Sequence, residues 1–326
     1  MATTEGQLGD GEEPQVGWRH TLAQVRNDPT ARFGLYIIAI ATSVAIFSAV
    51  DANLSRLTLG AYHDYTIGEW LPVLENPETL PPPGEMQTYQ PPVFAEGGSW
   101  DNPLGTDQSG RDYLSRIIYG ARISMAVGFF ATFLGLTGGV AIGAVAGYYG
   151  GWIDDVLMRF VEIIYSIPAL VLVIVFTVFV SGGNPDVIYA ILGVGIATVP
   201  VFSRIIRSRV LSVREMDYVE AARAAGVTDR NIIRRHIIPN SFAPVLVYAT
   251  LQIGFAILIV AGLSFLGYGA QPPTPDWGQM LNHAHGQMHV NPWMSIWPGV
   301  AILLTIMGFN LFGDGLQDAL DPRIDN

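Results

Sequence analysis

The densest group of potential metal ligands is a short run of histidine and methionine, consisting of Met280, His283, His285, Met288 and His289. Imidazole and thioether groups bind borderline and soft transition metals. However, the spacing matches no dedicated metal site, and carboxylates are scarce around the run. A loop at a membrane interface is the alternative interpretation, so we assign no metal ligand to the chain.

Other reactive groups are few. The chain contains no cysteine, which excludes disulfides and thiolate metal sites. It also lacks the G-x-x-x-x-G-K-[ST] loop that holds ATP phosphates, and its histidines lie in predicted tails and loops without a nucleophile beside them. Arg159 and Glu162, three residues apart, could form a structural ion pair or a buried functional charge. We therefore predict a protein that is not itself an enzyme.

A polar, arginine-rich segment at residues 217–240 has the pattern of a docking element. Asp217 can cap a first helix, because Glu220 follows at the spacing of a capping box. Gly226 can end that helix, since glycine adopts a left-handed conformation without steric cost. Alanines give the helix a thin surface that another protein can approach closely, and they are Ala221, Ala222, Ala224 and Ala225.

A second short helix follows in this segment. Thr228 or Asp229 can start it, and we expect it to end near Pro239. The result is an exposed helix–glycine–helix elbow, whose shape suits docking. An ordinary connecting loop with chance alanines is the alternative.

Long apolar stretches surround this elbow. Half of the 326 residues are hydrophobic and mean hydropathy is +0.35, so we predict an integral, all-α membrane protein. Six stretches can cross a bilayer, and they comprise residues 33–50, 123–149, 156–180, 187–206, 245–266 and 294–312. Pro168 should kink the third span. Glycines at every fourth position should let the second span pack closely on a neighbour, and these are Gly135, Gly139, Gly143 and Gly147.

The charge distribution predicts the orientation. Residues 203–240 hold eight arginines and four acidic residues, which places this loop in the cytoplasm, and three arginines precede the first span. We therefore expect a cytoplasmic tail at 1–32, an external insertion at 51–122, a five-helix core at 123–313 and a cytoplasmic tail at 314–326. The acidic start of the chain argues against a signal peptide. Acidic residues lie between the arginines of residues 203–240, which argues against nucleic-acid binding by this loop.

The net charge is −11, and all 17 basic residues are arginine. Such an acid-rich surface favours a halophilic source, because carboxylates keep exposed surfaces hydrated in salt. Compositional bias of the genome explains the same numbers, and the sequence leaves both open.

The elbow resembles the EAA loop of binding-protein-dependent ABC transporter permeases. The resemblance rests on Glu220-Ala221-Ala222, on Gly226, and on His236-Ile237-Ile238-Pro239, with Ile238 where leucine is commoner. It implies that the elbow is the coupling helix that enters a cleft of an ATPase subunit. The coupling residues would be Asp217, Glu220, Ala221, Ala222, Ala225, Gly226, Arg234, His236 and Pro239.

Two outer segments resemble the C-type subunit of dipeptide and oligopeptide permeases within the same family. They are residues 104–122 and 264–278, and the C-terminal run 310–323 is similar as well, with Gln317 where arginine is usual. The arginines of the first segment either pair with Asp107 or Asp112, or extend into solvent. The implied outer gate comprises Gly105, Thr106, Asp107, Gly110, Arg111, Asp112, Arg116, Arg122, Pro272, Asp276 and Trp277.

The resemblance implies the fold of a type I ABC importer permease and a role as the transmembrane subunit of an ATP-driven importer in the plasma membrane, with both termini cytoplasmic. Dipeptides or oligopeptides are the first substrate class it implies, with nickel or another small solute as the alternative. Its partners would be a second, homologous permease in a heterodimer, two ATP-binding subunits, an extracellular solute-binding protein and the lipid bilayer. This chain would bind no cofactor, since ATP and Mg belong to the ATPase subunits. An ion-coupled secondary transporter is a further alternative, but ionisable residues are almost absent from the middle of the spans.

Overall fold

The computed structural model describes residues 18–57, 74–82 and 86–320, and these residues form helices joined by turns and loops. Two helices come first, α1 (Trp18–Asn27) and α2 (Pro29–Leu57). The central group contains α3 (Tyr113–Tyr149), α4 (Gly151–Tyr165), α5 (Ala169–Ser181) and α6 (Val187–Val213). The elbow contains α7 (Asp217–Ala224), α8 (Asp229–Ile232), a π-helix (Ile233–Ile237) and α9 (Ile238–Ser241). The last three helices are α10 (Ala243–Phe265), α11 (Trp277–His285) and α12 (Trp293–Leu320).

Five of these helices are long and apolar enough to cross a bilayer, namely α2, α3, α6, α10 and α12. The pair α4 and α5 passes the same test only when taken together, which gives up to six crossings among the described residues. Five of the six predicted spans therefore correspond to single long helices with different boundaries, and the third corresponds to the bent pair α4 and α5.

The third span differs most from its prediction. Pro168 does not kink one helix; α4 and α5 are separate helices bent by 89°. Proline has no backbone N–H and disfavours helical geometry in the residue before it, so the helix stops at Tyr165. Pro168 then stands directly before α5, where a missing N–H costs little.

Boundaries of other spans also differ from the prediction. The second span starts ten residues earlier than predicted, because α3 begins at Tyr113. Helix α3 has 37 residues and is about 55 Å long, so it extends well beyond a bilayer core of roughly 30 Å. The sixth span continues to Leu320, into the predicted tail. Helix α1 lies within the predicted N-terminal tail. Residues 1–17, 58–73, 83–85 and 321–326, which belong to the predicted tails and insertion, lie outside the described residues.

The predicted glycine seam is confirmed, and its partner is α6. A Cβ added at Gly139 would lie 2.9 Å from both Val199 O and Ser203 N, and one added at Gly147 would lie 3.1 Å from Arg207 O. These distances are shorter than van der Waals contact, so only glycine lets the two backbones approach this closely. Helices α3 and α6 therefore form the closely packed centre of the structure.

Candidate functional site

The first helix of the elbow starts one residue earlier than a capping box requires. Its N-cap is Met216, which makes no side-chain cap hydrogen bond, so the predicted cap by Asp217 is wrong. Asp217 and Glu220 instead lie inside the first turn. There their carboxylates interact favourably with the positive end of the helix dipole, which accounts for their placement without a capping box.

Gly226 ends α7 as predicted. It has φ +77, and its N–H donates to Arg223 O at 3.0 Å. The next residue, Val227, donates from its N–H to Ala222 O at 3.1 Å. These two bonds form a Schellman motif, which satisfies the last carbonyls of the helix and requires a left-handed residue at Gly226. The bend of the elbow is therefore fixed by backbone hydrogen bonds.

The second helix of the elbow passes through Pro239 and ends at Ser241, close to the predicted end near Pro239. Thr228 is its N-cap residue, and the helix changes to π geometry at Ile233, with Ile238 N–H donating to Ile233 O. Pro239 then occupies the first turn of α9. A π-turn shifts the helical hydrogen bonds by one residue. This π-turn lies just before Pro239, whose missing N–H would otherwise interrupt the α-helical hydrogen bonds. The chain thus stays helical from residue 229 to 241.

Apolar side chains fix the elbow to the C-terminal parts of α3 and α6. Val219, Ile232 and Ile237 are completely buried, and they share one cluster with Phe202 and Ile206 of α6. Burial of each such side chain stabilises the packing by roughly 1.5–3 kcal/mol. The elbow and α6 are therefore expected to move together.

Polar contacts reinforce this attachment. Tyr148, in the last turn of α3, donates from its hydroxyl to Asp229 Oδ1 at 2.7 Å, and Arg223 lies over the Tyr148 ring at 5.7 Å. Helix α4 is held as well, because Arg207 donates to both carboxylate oxygens of Asp154. Sequence reasoning missed these contacts, since they join residues 53 and 81 positions apart.

The opposite face of the elbow is open. Most of the predicted coupling residues are exposed, and only Ala222 and His236 are half-buried. The exposed ones combine small side chains with charges, and they are Asp217, Glu220, Ala221, Ala225, Gly226, Arg234 and Pro239. The structure thus brings the predicted residues together on one solvent-facing element backed by a packed core.

At the other end of the molecule, the predicted outer residues form a buried ionic cluster around Asp107. Its Oδ1 accepts from the N–H of Ser109 at 2.7 Å and of Arg111 at 3.1 Å, and its Oδ2 accepts from Arg111 Nε at 2.8 Å. Arg116 Nε lies 3.4 Å from the same Oδ2. All three charged side chains are at least 90% buried, so the pairing alternative is correct for Arg111 and Arg116.

Arg116 also ties separate segments together. Its Nη1 donates to Pro77 O at 2.8 Å and to Pro273 O at 3.2 Å. Arg122 pairs with Glu78 at 2.9 Å, a partner that the sequence did not indicate. The arginines thus join the N-terminal end of α3 to the segment at residues 77–78 and to the loop before α11.

Backbone conformation completes this end of the insertion. Gly105 and Gly110 have positive φ angles of +85° and +78°. Thr106 and Asp112 pair with each other in an isolated antiparallel bridge. Asp112 caps α3 by accepting from Ser115 N at 2.7 Å and from Ser115 Oγ at 2.6 Å. Burial raises the pKa of Asp112 to about 6, although these hydrogen bonds oppose the shift.

The second outer segment packs against the first. Asp276 caps α11 through Gln279 N at 3.2 Å and accepts from Ser124 Oγ of α3 at 3.2 Å. Complete burial raises the pKa of Asp276. Trp277 donates from its indole N–H to Ile117 O at 2.9 Å, whereas Pro272 is exposed. We name the two packed segments, residues 105–122 and 272–277, the outer clamp.

The histidine and methionine run does not converge. Met280 is buried in an apolar cluster, His283 Nδ1 lies 3.1 Å from Gln108 Nε2, and the His285 ring stacks edge-on against Phe265. Burial lowers the pKa of His283. In residues 18–57, 74–82 and 86–320, no three His, Asp or Glu side chains form a group that could hold a metal.

The ion pair between Arg159 and Glu162 is present, at 3.3 Å. Both side chains are more than half exposed on α4. Within this chain the pair lies at the surface of α4, which favours the structural ion pair over a buried charge.

Comparison with known proteins agrees with this architecture. Residues 139–326 match the family model described as the inner membrane component of binding-protein-dependent transport systems. The chain is 38% identical to the dipeptide transport system permease protein DppC of Alkalihalophilus pseudofirmus, over 94% of this chain and 90% of that protein. It is 43% identical to the glutathione transport system permease protein GsiD of Pectobacterium atrosepticum, over 70% and 75% respectively.

A solved structure has the same fold. The MetNI methionine ABC transporter in an inward-facing conformation matches with a TM-score of 0.52 and 21% identity, covering 63% of this chain and 96% of that one. This likeness confirms the expected all-α permease fold. By its family match and by its identity to the two permeases over most of its length, the chain belongs to the family of inner membrane components of binding-protein-dependent transport systems.

Proposed function

We propose that this chain is one of two permease subunits of an ATP-driven importer, and that peptides are its substrates. The observation that carries the proposal is the elbow, which is open on one face and bound to α3 and α6 on the other. The relatives named as dipeptide and glutathione permeases support peptides over nickel or another small solute.

The proposed mechanism transmits motion through the elbow. The complex contains two ATPase subunits, which bind ATP and Mg. One of them docks on the exposed face of the elbow, and closure of the pair moves it. Because Val219, Ile232 and Ile237 are buried against α6, the motion passes to the long helices rather than bending the elbow. This chain itself binds no cofactor and supplies no catalytic residue.

The proposed orientation places the elbow and both termini in the cytoplasm. The tails 1–32 and 314–326 then lie inside, the first span is 33–50, the insertion 51–122 lies outside, and 123–313 forms the core with its coupling loop 203–240. A solute-binding protein delivers substrate to the outer face, where the outer clamp shapes the entrance. A second, homologous permease completes the pathway as a heterodimer in the plasma membrane.

Replacing Gly226 with valine tests the coupling role. A β-branched residue at φ +77 is strained, by roughly 1–2 kcal/mol, and no neighbour would contact its Cβ. We expect transport per ATP hydrolysed to fall, by roughly tenfold if that strain acts on the coupled conformation. The measurement compares substrate uptake with ATP hydrolysis in proteoliposomes containing the full complex.

Gly182→Val is the matched control. Gly182 also has positive φ, +59, with open space around its Cβ, but it ends α5, away from the elbow. We expect this variant to keep wild-type coupling. If Gly226→Val transports at the full rate, or if both variants lose coupling equally, the elbow does not have the proposed role.

The substrate is tested separately. The solute-binding protein that delivers to this complex is purified and titrated calorimetrically with dipeptides, glutathione and Ni²⁺. We expect peptide binding. Tight binding of Ni²⁺ without peptide binding would identify Ni²⁺ as the substrate instead of peptides, and it would leave the importer proposal intact. Uptake that continues without ATP would refute the importer proposal.

A further inference from the structure

A large groove opens beside the first transmembrane helix, at the same end of the molecule as the elbow. It has a volume of about 1090 Å³ and lies between the N-terminal ends of α2 and α10 and the C-terminal part of α12, with α1 at its edge. Its walls are mainly apolar and include Leu35, Tyr36, Leu246 and Phe312. It exceeds the pockets of roughly 300–1,000 Å³ that enclose drug-sized molecules, and it is open on one side.

The groove is held in shape by close helix packing. A Cβ added at Gly34 of α2 would lie 2.7 Å from Phe312 N, and one at Gly308 of α12 would lie 2.8 Å from Ile37 Cγ2. The two helices thus touch backbone to backbone beside the groove. Val25, Val247 and other buried residues of one apolar cluster pack beneath it. It therefore does not need to form when a ligand arrives.

Both charged residues that line the groove are arginines. Arg26 and Arg32 are exposed, and neither forms an ion pair with any residue in the described part of the chain. Asp28 lies between them in sequence, but its carboxylate accepts from the N–H groups of Thr30 and Ala31 at 3.0 and 2.9 Å. The rim therefore offers two positive charges against one acid already used as a helix cap.

The acids of α12 do not compensate this charge. Asp314 and Asp318 are exposed, and each lies two residues from the groove-lining Leu316. Two residues correspond to about 200° of rotation on a helix, so these acids lie on the opposite side of α12. The groove thus combines apolar walls with a positive rim.

The position of the arginines matches the level of lipid headgroups. Arg32 directly precedes the apolar stretch 33–50, so it lies where the bilayer core begins. Leu35 and Tyr36 follow about one turn deeper, roughly 5–6 Å along the helix. Basic pockets between transmembrane helices on the cytoplasmic side bind anionic headgroups, because phosphate and arginine attract each other there.

We propose that this groove binds one anionic phospholipid of the cytoplasmic leaflet, with its phosphate on Arg26 and Arg32 and an acyl chain along Leu35, Leu246 and Phe312. A soluble anion would leave the apolar walls unused. A zwitterionic lipid also has a phosphate, but its cationic headgroup cancels the negative charge that the two arginines attract. The proposal rests on the cytoplasmic orientation proposed above, but not on substrate or on coupling.

The test measures bound lipid on the purified complex. The chain, with the subunits that co-purify with it, is delipidated in detergent and titrated with phosphatidylglycerol or phosphatidylcholine, and bound lipid is counted by native mass spectrometry. We expect preferential binding of phosphatidylglycerol. Arg26→Gln/Arg32→Gln should weaken that binding roughly 10- to 30-fold, since each basic residue contributes. Arg159→Gln/Arg209→Gln, which removes two exposed arginines elsewhere, should leave it unchanged.

A second pair of variants tests the apolar part. Leu35→Trp places bulk on the groove wall without changing charge, and we expect it to lower binding of phosphatidylglycerol. Leu303→Trp makes the same change on an exposed apolar surface of α12 outside the groove, and it should have no effect. A soluble headgroup analogue, glycerol phosphate, should bind much more weakly than the lipid.

Three outcomes would overturn the proposal. The first is equal binding of both lipids, unaffected by the arginine variants. The second is equal binding of glycerol phosphate, which would indicate a site for soluble anions. The third is binding that appears only after residues 1–14 are deleted, which would mean that this acidic segment occupies the arginines. Since the assay uses no ATP and no substrate, its failure leaves the importer proposal untouched.

Discussion

At the scale of single residues, charge burial distinguishes the two ends of the molecule. In the outer clamp, Asp107 lies between two buried arginines and also accepts hydrogen bonds from two backbone N–H groups. On α4, the pair of Arg159 and Glu162 is mostly exposed. Removing one partner of a buried group leaves an uncompensated charge, whereas an exposed pair contributes little. The outer clamp should therefore be far more sensitive to substitution.

Asp107→Asn tests this difference. The amide keeps Oδ1 as an acceptor for Ser109 and Arg111, but it replaces Oδ2 with a donor that faces two guanidinium groups. We expect a loss of roughly 3–5 kcal/mol in the free energy of unfolding. Glu162→Gln, the control in the exposed pair, should cost no more than about 1 kcal/mol. Thermal unfolding of the purified complex, followed by tryptophan fluorescence, measures both, and similar melting temperatures for the two variants would contradict the expectation.

At the scale of helices and turns, local sequence patterns predicted which segments pack closely or bend. They did not predict the residues at which the helices begin and end. The four glycines of α3 correctly indicated a close helix seam, because a repeat of four places them on one face. The capping box failed, since Met216 rather than Asp217 became the N-cap. The helical run does end near Pro239, at Ser241, but the π-turn before the proline was not predicted. These outcomes depend on packing against α3 and α6, which a local pattern does not contain.

The same limit applies to the candidate site. Gly226 was identified from a local rule, and its left-handed conformation follows from it. The hydrogen bond from Tyr148 to Asp229 and the ion pair of Arg207 with Asp154 could not be predicted. Both join distant parts of the chain, and no spacing in a single sequence encodes which polar groups meet across the fold.

One substitution at two positions tests the seam. Gly139→Ala would place its Cβ 2.9 Å from backbone atoms of α6, so we expect it to force α3 and α6 apart and lower the melting temperature. Gly299→Ala lies in α12 with no atom within 4 Å of the new Cβ. There alanine should be neutral or stabilise by up to about 1 kcal/mol, because it favours helix. Thermal unfolding should show a lower melting temperature for Gly139→Ala and an unchanged or higher one for Gly299→Ala. A stabilised Gly139→Ala would refute the seam.

At the scale of the whole molecule, the elbow and the outer clamp lie at opposite ends of α3. Helix α3 has Asp112 at its N-terminal cap and Tyr148 near its C-terminal end, and it contacts both sites directly. Its glycine seam also binds it to α6 along its length. A displacement at one end therefore has a continuous path of packed backbone to the other.

The proposed orientation can be tested directly because the chain lacks cysteine. Ala224→Cys on the elbow and Glu96→Cys in the insertion both place a thiol at an exposed position. We expect a membrane-impermeant maleimide to label Ala224→Cys only in inside-out vesicles and Glu96→Cys only in right-side-out vesicles. Wild-type protein is the unlabelled control. Labelling of Ala224→Cys from the outer medium would reverse the topology and, with it, the coupling role.

The corner between α4 and α5 constrains how the protein can exist in a bilayer. Helix α5 is apolar apart from Thr177 and Ser181, and no side chain caps its N-terminus, so the amides of Ala169, Leu170 and Val171 have no acceptor from a cap. Hydrocarbon cannot solvate such groups, and irregular backbone at membrane depth survives only against protein or in a water-filled passage. A single copy of this chain surrounded by lipid would therefore leave backbone N–H groups at this corner without hydrogen-bond acceptors. The bend between α4 and α5 therefore affects both the stability of the chain in the bilayer and the access of water to its interior.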